Sequence, residues 1–195
     1  MRVRERRGRR RAGVGPPARC CGHGVVIVRG IVVGLLLVAA VVLQTALFPA
    51  LTLFGFRPDL LLLLTVVIAT RDGELAGVRV GAVAGLMTDL LVASSPVGLG
   101  VFVYGVAGAL VGWSRPYFAP TSLTAPLVLA AAGSVLGTAA YGVLASLLAD
   151  ERVGASLVLQ GAIAVGLYNT LLAPVAGALV RRISEAFPLR GAGTE

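Results

Sequence analysis

The chain has 195 residues, of which 57% are hydrophobic and only 13% are charged, and its mean hydropathy is +0.91. Soluble domains have roughly 45–50% apolar and 25% charged residues, so this composition excludes an ordinary soluble protein. The formal charge of +8 would suit a nucleic-acid-binding protein, but eight of the 17 arginines lie in the first 19 positions. The remainder lacks a basic surface interleaved with aromatic residues, which argues against nucleic acid as a partner.

Residues that carry catalytic or metal chemistry are scarce in this sequence. His23 is the only histidine, the only cysteines are the adjacent pair Cys20 and Cys21, and there is no lysine. This set allows no catalytic triad, zinc site or disulfide framework. Without lysine, the phosphate-binding motif G-x-x-x-x-G-K-[ST] is also excluded. The sequence therefore predicts neither an enzyme nor a cofactor or metal site.

Apolar runs follow one another along most of the chain. We expect a disordered, arginine-rich tail over residues 1–24, a membrane domain over residues 25–182 and a short tail over residues 183–195. The predicted fold class is all-α, a polytopic membrane bundle of about six transmembrane helices. These helices are predicted at residues 25–48, 58–70, 75–93, 97–113, 122–149 and 155–180. The second is only about 20 Å long, so we expect it to tilt little or to thin the bilayer locally.

Prolines and charged residues predict where these helices begin and end. Pro58 suits the first position of the second helix, and Asp59 would then lie at the positive end of the helix dipole. Residues 71–74 are expected to form the turn to the third helix. Arg181 and Arg182 are expected to stop the sixth.

The distribution of arginines predicts the orientation of the bundle, since short cytoplasmic loops are enriched in basic residues. If the N-terminal tail is inside, the other inside arginines are Arg71, Arg115, Arg181, Arg182 and Arg190. The outside segments then carry only Arg57 and Arg152. Both termini are therefore predicted to be cytoplasmic, which requires an even number of spans.

Glycines at four-residue spacing mark one face of the third helix. Gly77, Gly81 and Gly85 form a double G-x-x-x-G motif, a pattern that lets membrane helices approach each other closely. Weaker repeats are Gly108 and Gly112, Gly133 and Gly137, and Ala173 and Gly177. Two interpretations remain open, namely internal packing of the bundle and an interface with a partner or a second copy.

Two ionisable residues lie inside the predicted third span, where a charge is costly. Arg79 can extend its side chain to the cytoplasmic headgroups, which favours a structural role. Asp89, near the outer end, could cap neighbouring backbone, pair with Arg57 or contact a partner. In the sixth span Asn169, beside Tyr168, could form a hydrogen bond between helices.

Three stretches in this order carry a resemblance to a known family. They are LQTALFP (43–49) running into FGFRPDLLLL (54–63), GAVAGLMTDLL (81–91) and YNTLLAP (168–174). Together they resemble the bacterial rod shape-determining protein MreD family. The candidate packing or partner-interface residues, most of them in these stretches, are Asp59, Gly77, Arg79, Gly81, Gly85, Asp89, Tyr168, Asn169 and Pro174.

The resemblance implies a non-enzymatic subunit of the machinery for cell elongation in the bacterial inner membrane. Its implied partners are an MreC-like bitopic protein, an MreB-like filament, a penicillin-binding transpeptidase and a polytopic glycosyltransferase. The implied fold is similar to the substrate-binding subunits of energy-coupling-factor transporters. A small-molecule-binding subunit of a transporter is therefore the alternative function, and it would require a polar pocket.

The arginine-rich tail departs from the pattern of that family, whose members usually begin just before the first span. Two interpretations of the tail stay open. It could bind anionic lipids, at about 1 kcal/mol for each basic residue near the membrane surface. Alternatively, translation begins at a valine such as Val28 and residues 1–27 are not made.

Overall fold

The computed structural model describes residues 22–46, 55–91, 98–117, 125–148 and 154–186. The described residues form six α-helices and one short 3-10 turn. The helices are α1 (Gly22–Ala46), α2 (Leu60–Asp72), α3 (Glu74–Leu91), α4 (Leu99–Ser114), α5 (Ala125–Leu148) and α6 (Ala155–Ala186). The prediction of an all-α helical bundle is confirmed. Helix α1 begins at Gly22, three residues before the predicted start and inside the tail that was predicted over residues 1–24. Residues 1–21 and 187–195 lie outside the described residues.

Three of these helices are long and apolar enough to cross a membrane, namely α1, α5 and α6. The other three are shorter, with 13 residues in α2, 18 in α3 and 16 in α4. Large apolar side chains are exposed along most of the bundle, among them Leu35, Phe102, Leu136 and Leu171. A surface of this kind is suited to lipid and not to water. The molecule is therefore a helical membrane bundle.

Helix α2 is the centre of the bundle. Each of its first ten residues, from Leu60 to Ala69, is buried, and α2 contacts all five other α-helices. A helix that is apolar on every side has no face that prefers water, so it is placed inside a bundle. The neighbouring helices therefore enclose this short helix, while its little tilt or local thinning of the bilayer stays a prediction.

The start of α2 differs from the prediction by two residues. Asp59 is the N-cap and not the second helical residue, since its side chain accepts a hydrogen bond from the backbone N–H of Leu62 at 3.0 Å. Pro58 is buried just before the cap. A carboxylate that caps the first turn satisfies N–H groups that have no partner within the helix. That contact explains why the helix begins at Leu60.

Two further boundaries also differ from the prediction. The predicted four-residue turn at 71–74 is a single residue, Gly73, whose φ of 89° lies in the left-handed region; glycine adopts this conformation without strain. Helix α6 does not stop at Arg181 and Arg182 but continues to Ala186. Charged residues end the apolar segment without breaking a helix, because arginine is a good helix former.

Candidate functional site

The glycine face of α3 lies against α4. A methyl group added to Gly77, Gly81 or Gly85 would come within 2.2–2.5 Å of a backbone carbonyl oxygen of α4. These oxygens belong to Gly108, Tyr104 and Gly100, respectively. Only glycine allows two backbones to approach this closely, and the order of the contacts makes α3 and α4 antiparallel. Of the two interpretations of this motif, the geometry matches internal packing.

The weaker glycine repeats have different surroundings. Gly108 and Gly112 face the backbone of α3, whereas Gly133 and Gly137 face side chains of α2. Gly177, in contrast, has no atom within 4 Å of an added methyl group. Two of these three pairs, like the glycine triplet on α3, therefore contribute to packing inside the bundle.

Asp89 is buried at the end of α3 and binds the beginning of α4. Its carboxylate accepts hydrogen bonds from the backbone N–H of Gly98 at 2.8 Å and of Gly100 at 2.9 Å. Those N–H groups carry the partial positive charge of the N-terminus of α4, which stabilises an anion. In this geometry Asp89 caps neighbouring backbone, and the described residues contain no ion pair between Asp89 and Arg57. Arg79 is exposed on the surface of α3.

A second group of buried polar residues surrounds the N-terminal end of α2. The hydroxyl of Tyr104 donates to the Asp59 carboxylate. The side-chain amide of Asn169 donates to the Asp59 carbonyl oxygen and to the Ser134 hydroxyl, both at 3.0 Å. Asn169 and Ser134 are completely buried. This group, called the Asp59 cluster below, joins α2 to α4, α5 and α6.

Three other residues of the family-like stretches, Gln44, Tyr168 and Pro174, have different surroundings. Gln44 of α1 accepts a hydrogen bond from the backbone N–H of Leu60 at 3.2 Å. Within the described part of the chain, the side-chain oxygen of Asn169 and the hydroxyl of Tyr168 are buried without a hydrogen-bond partner. Pro174 lies within α6 and is exposed. The structure thus brings Asp59 and Asn169 together, while Tyr168 and Pro174 stay outside the cluster.

A nearly buried ion pair at the C-terminal end of α2 was not predicted from the sequence. Arg29 of α1 bonds the Asp72 carboxylate and also donates to the Ser184 hydroxyl at 3.2 Å. The two charged side chains are only 9% and 12% exposed. A signal was present, because Arg29 is an ionisable residue inside an apolar run of membrane-spanning length. Its partner could not be predicted, because Asp72 lies in the turn predicted at residues 71–74.

A groove of about 520 Å³ opens between α5 and α6, beside the segment that precedes α2. Its walls are mostly small or apolar. The lining residues are Gly55, Phe56, Arg57, Thr138, Tyr141, Gly142, Leu157, Val158, Gly161 and Val165. The hydroxyl of Thr138 is buried without a hydrogen-bond partner in the described part of the chain.

The described residues contain no group of three or more His, Cys, Asp or Glu side chains that could hold a metal ion. The polar groups that the helices bury are used mainly to bind other helices. Such contacts define an α-helical membrane protein, held together by glycine packing and by carboxylates at helix ends.

Comparison with known proteins assigns the chain to a family. The chain matches the family model described as rod shape-determining protein MreD over residues 26–182, and it belongs to the MreD family. That family is part of the MreBCD machinery that determines cell shape, and an association with MreC and MreB follows at this general level. No curated protein and no solved structure matches the chain. The similarity to transporter substrate-binding subunits therefore stays a prediction.

Proposed function

We propose that this protein is a non-enzymatic scaffold in the cell-elongation machinery, where it regulates peptidoglycan synthesis and cell shape. Membership of the MreD family carries the proposal. Further support comes from the use of the buried polar groups, since Asp59, Asp89 and Arg29 all bind other parts of the bundle. Large apolar side chains are exposed on the bundle, and the transmembrane helices of partner proteins would lie against them.

The proposed partners are those of the elongation machinery. They are an MreC-like bitopic protein, an MreB-like filament, a penicillin-binding transpeptidase and a polytopic glycosyltransferase. In this arrangement all six helices cross the inner membrane and both termini are cytoplasmic, as the arginine distribution predicts. The arginine-rich tail would bind anionic lipids at the inner surface.

A second candidate function is a small-molecule-binding subunit of a transporter. The groove between α5 and α6 favours it, because about 520 Å³ is a usual size for a ligand site. Its mainly apolar lining fits a polar solute poorly. We therefore place the scaffold first.

Co-purification from native membranes tests the proposal. A tagged chain in mild detergent is expected to retain the MreC-like protein, and an equally tagged membrane protein of unrelated function is the control. Arg57→Gln changes the groove without touching the glycine contacts, so it should leave this association intact. Failure of the wild-type chain to retain the MreC-like protein, with the tagged chain monodisperse, would remove the scaffold proposal.

A further inference from the structure

The groove between α5 and α6 combines an open apolar wall with an exposed arginine side chain. Phe56, Val158 and Val165 supply apolar surface, and Leu157 at the edge is 49% exposed. The groove therefore opens at the surface of two helices that are long enough to cross a membrane. An apolar chain entering from the bilayer would find a matching surface there.

Arg57 lies at this groove and is exposed. Among the described residues it takes part in no ion pair, whereas Arg29 and Arg181 each have a carboxylate partner. A guanidinium presents a planar set of donors that matches a phosphate group. The charge of the groove is therefore complementary to an anionic head group.

Thr138 provides a second and independent indication. Its hydroxyl oxygen is buried in the groove wall and has no hydrogen-bond partner in the described part of the chain. Buried hydroxyls are nearly always hydrogen-bonded. A rotation of the Thr138 side chain toward the groove would bring this unpaired hydroxyl to an oxygen of a bound molecule.

We propose that this groove is a binding site for one anionic phospholipid. The phosphate contacts Arg57, an acyl chain lies along Phe56 and Val165, and Thr138 donates to a lipid oxygen. A lipid is favoured over a soluble phosphate compound because most of the lining is apolar. The site is separate from the arginine-rich tail and goes beyond the scaffold role.

Native mass spectrometry of the purified full chain tests this site. An equimolar mixture of phosphatidylglycerol and phosphatidylcholine is added in detergent, and the lipids retained on the protein are counted. The wild-type chain is expected to retain one phosphatidylglycerol in preference to phosphatidylcholine. Arg57→Gln should lower that preference about fivefold, the loss expected for one basic residue facing anionic lipid. Arg79→Gln removes an equally exposed arginine from α3, outside the groove, and should leave the preference unchanged.

Two further measurements test whether the lipid lies in the groove and whether the site prefers a lipid to a soluble phosphate compound. Leu157→Trp at the exposed edge should fill the groove and lower retention of both lipids. Glycerol phosphate added in excess should not displace the lipid. The proposal is overturned if Arg57→Gln keeps the wild-type preference, or if Arg79→Gln loses as much, which would indicate general surface charge. It is equally overturned if glycerol phosphate displaces the lipid, since the site would then bind a soluble phosphate compound.

Discussion

Two carboxylates in this bundle lie at the N-terminus of a short helix. Asp59 caps α2, and Asp89 binds the first N–H groups of α4 although it belongs to α3. The first N–H groups of a helix have no partner within it, and they carry partial positive charge. In a membrane they cannot all be satisfied by water, so a buried carboxylate there replaces solvent. These contacts offset part of the cost of burying the charge.

Asp89 gives the first prediction. Asp89→Leu leaves the N–H groups of Gly98 and Gly100 without an acceptor, and should lower the free energy of unfolding by about 3 kcal/mol. Asp89→Asn keeps one carbonyl oxygen and should cost about 1 kcal/mol. Thermal unfolding in detergent measures the difference, with the exposed Glu74→Gln as the control. A wild-type melting point for Asp89→Leu would show that the cap contributes no stability.

The ion pair at the other end of α2 gives the second prediction. A double-mutant cycle with Arg29→Ala and Asp72→Ala should give a coupling of about 1–3 kcal/mol, because both side chains are nearly buried. The pair Arg181 and Glu185 on α6 is the matched control. Its side chains are 59% and 69% exposed, so about 0.3–0.5 kcal/mol is expected there. Equal coupling in the two cycles would contradict a structural role for Arg29.

At the scale of helices, the contact between α3 and α4 depends on the absence of side chains. Gly77, Gly81 and Gly85 place the two backbones in direct contact over about two turns of helix. Lipid offers no hydrophobic driving force between helices, so the stability of this pair comes from close packing. The Asp89 cap then fixes the end of the same pair.

Gly81 gives the third prediction. Gly81→Ala places a methyl carbon only 2.3 Å from the Tyr104 carbonyl oxygen, so α3 and α4 must separate. Lower thermal stability is expected, and Gly81→Leu should reduce the yield of monodisperse protein as well. Gly34→Ala on α1 is the matched control, since no atom lies within 4 Å of its added methyl group. The account fails here if the two alanine variants have the same stability and yield.

The helices and their glycine-spacing motifs could be predicted from the sequence, but which helices contact each other could not. Four-residue spacing indicated close approach at Gly81 without saying which helix would lie opposite. Asp59 was placed correctly near a helix start, whereas its contact with Asn169 joins residues 110 positions apart. The end of α6 was misplaced because hydropathy reports where a membrane ends and not where a helix ends. The ion pair of Arg29 could not be predicted either, because its partner Asp72 belongs to another helix.

At the scale of the whole molecule, α2 separates two polar regions. The Asp59 cluster lies at one end and the Arg29–Asp72 pair at the other, about 20 Å apart at 1.5 Å per residue. Between them α2 is apolar and enclosed by other helices. This arrangement places polar contacts at both ends of the central helix.

Orientation gives the fourth prediction. With Cys20 and Cys21 replaced by serine, single cysteines at Gly55 and at Glu151 should react with membrane-impermeant reagents in intact cells. A cysteine at Thr194 should react only after the membrane is opened. Labelling of Thr194→Cys from outside would end the model of six spans with cytoplasmic termini.

We propose that this member of the MreD family acts in cell elongation as a scaffold, without chemistry of its own. Depletion of the chain in its native host, followed by measurement of cell length and width, tests it most directly. We predict that depleted cells shorten and widen, and that the wild-type chain restores the rod shape while Gly81→Leu does not. Unchanged cell dimensions after complete depletion would contradict the account.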